Sequence, residues 1–166
     1  GMNMGHEADI ARIKQQEQTL TFVSFTESDA LAIGLSIVRN LERAGEGALV
    51  DVSLWDRQLF AHSMAGANAD NADWVRRKKN VVRRFQMSSY RKALELQDSG
   101  REFEAARGTD PKDYAAAGGS FPVKLKGGPV IGCVTVSGLP QRDDHNEAVY
   151  AIAAHLGLSP AEIALN

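Results

Sequence analysis

Apolar and polar positions change period several times along this chain, and each change marks an element. Residues 7–18 are polar and helix-forming, and residues 19–25, TLTFVSF, are a β-branched and aromatic run of strand length. Thr26 then offers a hydroxyl N-cap with Asp29 three residues later, a capping-box-like start. Leu31, Leu35, Val38 and Leu41 follow at helical spacing, which predicts a helix ending before Gly45 and Gly47. From Ala48 the period falls to two, with Val50, Val52 and Leu54 on one face and Asp51, Ser53 and Trp55 on the other. Asp56, Arg57 and Gln58 break the run and residues 59–65 resume it, so the pair reads as a β-hairpin.

An Asn- and Ala-rich loop leads into the longest helical pattern, residues 74–98, with Gly100 as its stop. Asp110 and Pro111 form a helix-start pair for a short helix ending at Gly118 and Gly119. FPVKLK and PVIGCVTVS flank Gly127 and Gly128, and two glycines supply the positive φ angles of a tight hairpin turn. A last helix over 142–156 carries Val149, Ile152, Ala153 and Leu156 on one stripe. Five strands, largely in hairpins and interspersed with helices, predict an antiparallel sheet with helices on its faces.

Composition narrows the class without choosing a function. The chain has 166 residues, 43% hydrophobic and 24% charged, with a net charge of -2, a length that supports one domain with a real core. Cys133 is the only cysteine, which excludes an internal disulfide framework and fits a reducing compartment. No apolar run approaches the roughly 20 residues that cross a bilayer, and the start lacks the pattern of a secretory signal. A cytoplasmic protein without a membrane partner is expected. The glycine ahead of the first methionine reads as a cloning remnant, residues 1–6 as a disordered start, and residues 7–166 as the domain.

The candidate chemistry sits at a few places. On the long helix Trp74, Lys78, Val81, Phe85 and Ser89 share a stripe, which sets a lysine among core-facing residues. Two readings stay open: a snorkelling side chain, or an anion ligand in a cleft with Arg77 on its shoulder. Eight basic residues and no acid fall between Arg76 and Lys92, yet they point around the helix instead of forming a stripe, which argues against nucleic acid. In VSGLPQRDDH, Asp143 and Asp144 can cap the helix that follows. His145 lies on that helix's inner stripe near its positive end, so a neutral imidazole is expected: an acceptor, a weak base, an iron ligand, or a satisfied structural histidine. Ser137 lacks the flanking glycines of a nucleophile elbow. No phosphate-loop, dinucleotide or HExxH motif is present, and the four histidines show no metal-ligand spacing.

The succession DVSLWDRQLFAHSMAGA, WVRRKKNVVRRFQMSS, DYAAAGGSFPVKL and GGPVIGCVTVSGLPQRDDH resembles the GlcG-like family, which takes in the C-terminal domain of PduO and the haem-binding HbpS, and within it the branch labelled haem-degrading. The resemblance covers about residues 14–157 and rests above all on GGSFP combined with VSGLPQRDDH. It implies a three-layer α/β/α domain with a five-stranded antiparallel, profilin-like sheet, homo-oligomers, and for some members a bound haem or related tetrapyrrole. It places pocket positions at Arg77 and Lys78, at Ser88 and Ser89, at Gly118 and Gly119, and at Ser137, Gly138, Asp144 and His145. It carries over no metal ligand. The leading expectation is a homo-oligomeric protein binding a small anionic molecule, haem being one candidate, in a hollow where Lys78 and His145 converge. The alternatives are an enzyme using His145 as general base on a small metabolite, and an assembly protein without a ligand.

Overall fold

The two-residue period of the strands sorts this molecule into an apolar and a polar side. A computed structural model describes residues 5–166. Helices α1 (Glu7–Thr19) and α2 (Glu27–Arg43) precede the hairpin β1 (Leu49–Leu54) and β2 (Gln58–Ser63). Helices α3 (Ala69–Phe85) and α4 (Ser89–Ser99) follow, then β3 (Ser120–Lys124), β4 (Val130–Ser137), α5 (Gln141–His155) and the short α6 (Pro160–Ile163). The sheet is antiparallel throughout, in the order β2-β1-β4-β3.

Val50 and Val52 of β1, Val134 and Val136 of β4, and Phe121 and Val123 of β3 face one way, against Ile33, Ile37 and Leu41 of α2 and Val149 and Ile152 of α5. This is the main core, and alternation sends every second residue away from it. Asp51, Ser53, Ser120, Cys133, Thr135 and Ser137 therefore face α3, where they too are buried. At the start of α2 the capping box of Thr26 and Asp29 is present in both directions.

Among the described residues four strands form, not five. Residues 19–25 reach the sheet only as an isolated parallel bridge of Phe22 with Leu125: the Phe22 N–H donates to the Lys124 carbonyl at 2.9 Å, and the Phe22 carbonyl accepts from Lys126 N–H at 2.7 Å. Thr19 still belongs to α1 and Thr26 already caps α2, so the segment is consumed from both ends. Leu20 and Phe22 are buried while Val23 is 87% exposed.

The single helix expected over 74–98 is two. Gln86 takes a left-handed conformation with φ 60°, and Ser88 caps α4 by accepting the Arg91 N–H at 3.1 Å. The short helix expected after Pro111 is only a turn, in which the Asp113 and Tyr114 N–H groups both reach the Asp110 carbonyl. At the start of the chain the His6 N–H donates to the Asp98 carboxylate at 2.9 Å, and residues 1–4 of the expected disordered start lie outside the described residues. No helix among the described residues is long and apolar enough to cross a membrane.

Candidate functional site

Helix α3 buries Val75, Lys78, Val81 and Val82, and Lys78 reaches the polar layer of the sheet at the Val136 carbonyl. The Lys78 ammonium donates to the Val136 carbonyl at 3.1 Å and to Asp144 Oδ2 at 3.1 Å, and each side chain is only 3% exposed. Asp144 Oδ1 accepts the Leu139 N–H at 3.0 Å, so this carboxylate fixes the turn between β4 and α5 as well as the ammonium. Burial pushes the Asp144 carboxyl up to about 6 against the opposing pull of Lys78, and burial lowers Lys78 against the pull of Asp144. Gly119 has φ 136°, and a Cβ there would stand 2.3 Å from the Val136 carbonyl oxygen and 2.8 Å from Lys78 Nζ, so only glycine lets the chain pass beneath the pair.

A pocket of about 270 Å3 opens over this pair, walled by Asn71, Trp74, Ala117, Ser137, Gly138 and Gln141. The Gly118 N–H donates to Gln141 Oε1 at 3.1 Å. Arg77 does not share this pocket. Its Nε donates to Asp73 at 2.8 Å and its guanidinium lies 4.2 Å from the centre of the Trp74 ring, at the edge of a second cavity of about 560 Å3 with Leu96, Phe103 and Tyr114. Trp74 belongs to the walls of both cavities.

The remaining sequence candidates serve the frame. Ser88 caps α4 and donates its backbone N–H to Glu17 at 2.7 Å, and Ser89 Oγ accepts the Ser120 N–H at 3.0 Å. Neither borders the two cavities. His145 is fully buried, with ring centres 5.4 Å from Tyr90 and 5.8 Å from Phe121. Gln16 donates its amide to the Ile163 carbonyl at 2.8 Å, so its Oε1 faces His145 Nε2, also at 2.8 Å. Nε2 therefore carries the proton and Nδ1 the lone pair, which has no partner among the described residues. Burial, with Arg142 adding to it, pushes the imidazole down to about 3 and keeps it neutral.

Lys78 and His145 do not meet. Asp144 and His145 are consecutive on α5 and point about 100° apart, one toward α3 and the other toward α1 and α4. Cys133 is likewise shut in, its thiol pushed up to about 11 by burial.

The sequence reading did not single out the residues beside the hairpin. Asp51 and Ser53, both 2% exposed, meet Lys79: Ser53 Oγ donates to Asp51 Oδ1 at 2.6 Å, and the ammonium donates to Ser53 Oγ at 2.9 Å and lies 3.1 Å from Asp51. Gln58 Nε2 donates to Asp51 Oδ2 at 2.6 Å. A cleft of about 570 Å3 lies above them between the hairpin and α3. The signal was present, since strand alternation set Asp51 and Ser53 on one face, and a face covered by a helix buries whatever it carries. Among the described residues no group of three His, Cys, Asp or Glu could hold a metal.

Helices on both faces of an antiparallel sheet, with a buried lysine–carboxylate pair at a pocket floor, define an α+β domain with the makings of a ligand-binding site. Residues 25–153 match the HbpS-like family, described as haem-degrading proteins, and the chain belongs to that family. A UPF0303 protein of Brucella canis is 49% identical over 156 residues, covering 94% of this chain and 92% of that one. Among solved structures, Ybr137w superposes with a TM-score of 0.81 at 28% identity over 89% of both chains. A double mutant of HbpS from Streptomyces reticuli gives 0.63 at 26% identity, covering 80% of this chain and 87% of its own. A haem complex of PduOC shares the fold at 0.68 and 16% identity, covering 80% and 95%.

Proposed function

We propose that this protein binds an amphipathic organic anion, with the acidic group over Lys78 and the apolar body along Trp74 into the neighbouring cavity. The observation that carries the reading is the double duty of Trp74, which walls both the small polar pocket over Lys78–Asp144 and the larger apolar one edged by Arg77. Two of the three ammonium N–H groups of Lys78 are spent on Val136 and Asp144, leaving one for a ligand oxygen. Ser137 and Gly138 line the same mouth. Together the two cavities fall within the size range of small-molecule sites.

The family description and the haem-bound relative make a tetrapyrrole the first ligand to test. The walls suit its carboxylates and its plane, but they hold no imidazole, thiolate or thioether, and His145 is sealed away. The one usual haem ligand on these walls is the Tyr114 phenol, so the reading rests on the organic part of the molecule. The enzyme reading that used His145 as base loses its geometry because that side chain is sealed away, and a homo-oligomer stays part of the proposal, to be measured by light scattering.

Titration with haem and with iron-free protoporphyrin, followed by porphyrin absorbance, tests the reading. Both should bind alike, and Lys78→Met should weaken both by about tenfold or more, the worth of one charge-assisted hydrogen bond. Arg77→Gln, at a less buried position, guards against a loss of fold and should weaken both as well. Binding should also tighten from pH 8 to pH 6, because an anion beside Asp144 favours its protonated form. Equal affinity in all three proteins, or haem binding without protoporphyrin binding, would overturn it.

A further inference from the structure

The cleft beside the β1–β2 hairpin is the largest cavity described above and takes no part in the proposed function. Its chemistry is unevenly spent. Asp51 is saturated by Ser53, Gln58 and Lys79, so the floor is fixed and its buried charge is matched. Arg76 is tied to Asp73 and Asp113, and Arg57 to Asp56 and Glu27. Arg83 differs from these: among the described residues it has no carboxylate partner, and its guanidinium only rests 5.9 Å from the centre of the Trp55 ring. One turn earlier on the same face of α3, Lys79 has two N–H groups engaged and a third left over.

The Trp55 ring is a fixed platform, since its indole N–H donates to the Val130 carbonyl at 3.0 Å. Asn80 Oδ1 and Gln58 Oε1 complete the wall as acceptors, their amide nitrogens being committed to Asp113 and Asp51. A planar ring, an anion-binding fork with a second cation, and amide acceptors thus share one cavity of about 570 Å3.

We infer that this cleft binds a phosphorylated planar aromatic of nucleotide size, with its ring on Trp55 and its phosphate on Arg83 and Lys79. Phosphate is favoured over carboxylate by the donor count. A free guanidinium fork and a free ammonium N–H match three terminal oxygens and a charge near two, where a carboxylate would use the fork alone. The ring displaces Arg83 from Trp55, and the guanidinium turns onto the phosphate. The site is independent of Lys78, whose side chain lies in a different cavity.

A Trp74→Phe protein leaves Trp55 as the sole tryptophan and reports on this cleft directly. Titration with AMP should quench its emission saturably. Adenosine and inorganic phosphate, each carrying half of the recognised chemistry, should bind at least tenfold more weakly. Arg83→Ala, an exposed change, should weaken AMP by tenfold or more, and Lys78→Met should leave it unchanged. Absence of saturable quenching, or AMP affinity untouched by Arg83→Ala, would overturn the assignment. So would an oligonucleotide binding far more tightly than AMP, because the face would then be a strand-binding surface. Absence of porphyrin binding by the wild-type protein, with AMP binding intact, would count against the proposed function alone.

Discussion

The two faces of the sheet carry residues from the same four strands and do opposite jobs. On the side of α2 and α5, Val50, Val52, Phe121, Val134 and Val136 are fully buried and present no polar side-chain atom. On the side of α3, Asp51, Ser53, Ser120, Thr135 and Ser137 are buried almost as deeply, yet each polar group must find a partner or border a cavity. The first face supplies the hydrophobic term of folding, and the second is where cavities and buried charges collect. Strand alternation alone makes this division.

The largest effect is expected on the apolar face. Phe121→Ala removes a fully buried ring that packs in the main core and against His145, and should cost about 3–5 kcal/mol in urea unfolding. A loss below about 1 kcal/mol would mean that this face does not dominate folding.

On the polar face the comparable change is Lys78→Met, which leaves the Asp144 carboxylate buried without its cation and should cost about 3 kcal/mol at pH 8. The cost should shrink at pH 5, where Asp144 takes up a proton and needs no counter-ion. The double variant Lys78→Met, Asp144→Leu should regain part of the loss, since a buried ion pair contributes little net stability over apolar residues of similar size, while the Leu139 N–H is left without its acceptor. Additive costs in the double variant would show that the two residues do not act as a pair.

The apolar face was readable from the sequence to a large extent, because its signal is periodic. Val50, Val52, Phe121 and Val123 alternate as a half-buried sheet requires, and Thr26 with Asp29 announced a helix start that forms as a full capping box. What failed were the places where tertiary contacts overrode local preference. Gln86 adopts a left-handed conformation that favours glycine or asparagine, so nothing in its identity marked the break between α3 and α4. Residues 19–25 have strand composition but are spent on closing one helix and starting another. The polar face was only half readable: helical spacing put Lys78 inward, but its partner Asp144 read as an ordinary cap, whereas α5 starts after Pro140 without a side-chain cap and the carboxylate instead accepts the Leu139 N–H ahead of the helix. The neutrality of His145 was expected from the helix end, whereas burial is its main cause.

His145 offers a smaller test, with an opposite pH dependence to that of Asp144. Its folded pKa of about 3 lies below the ordinary 6.5, so between those values the unfolded chain holds a proton that the folded one does not. Its contribution to stability therefore rises with pH up to about 6.5 and is flat above, with a slope of at most ~1.4 kcal/mol per pH unit. Asp144 and Glu147, raised to about 6 and about 7 by burial, have the reverse sign, since folding favours their protonated forms and stability falls as pH climbs through those values. Subtracting the urea stabilities of a His145→Gln variant from those of the wild type isolates the histidine. The difference should climb between pH 4.5 and 6.5, and a difference independent of pH would show that the imidazole is not held neutral.

The smallest effect belongs to the outer surface of α3. Asp73 bridges Arg76 and Arg77, and such solvated pairs contribute little because water already screens them. Arg77 has a second hold, its guanidinium lying 4.2 Å from the centre of the Trp74 ring, which does not depend on Asp73. Asp73→Ala should therefore leave the melting temperature unchanged within error, and Arg77 should stay at the edge of the apolar cavity. It should also strengthen anion binding there slightly, because a competing carboxylate has gone. A clear drop in melting temperature, or a loss of porphyrin affinity, would show that the carboxylate, and not the indole, sets the position of Arg77.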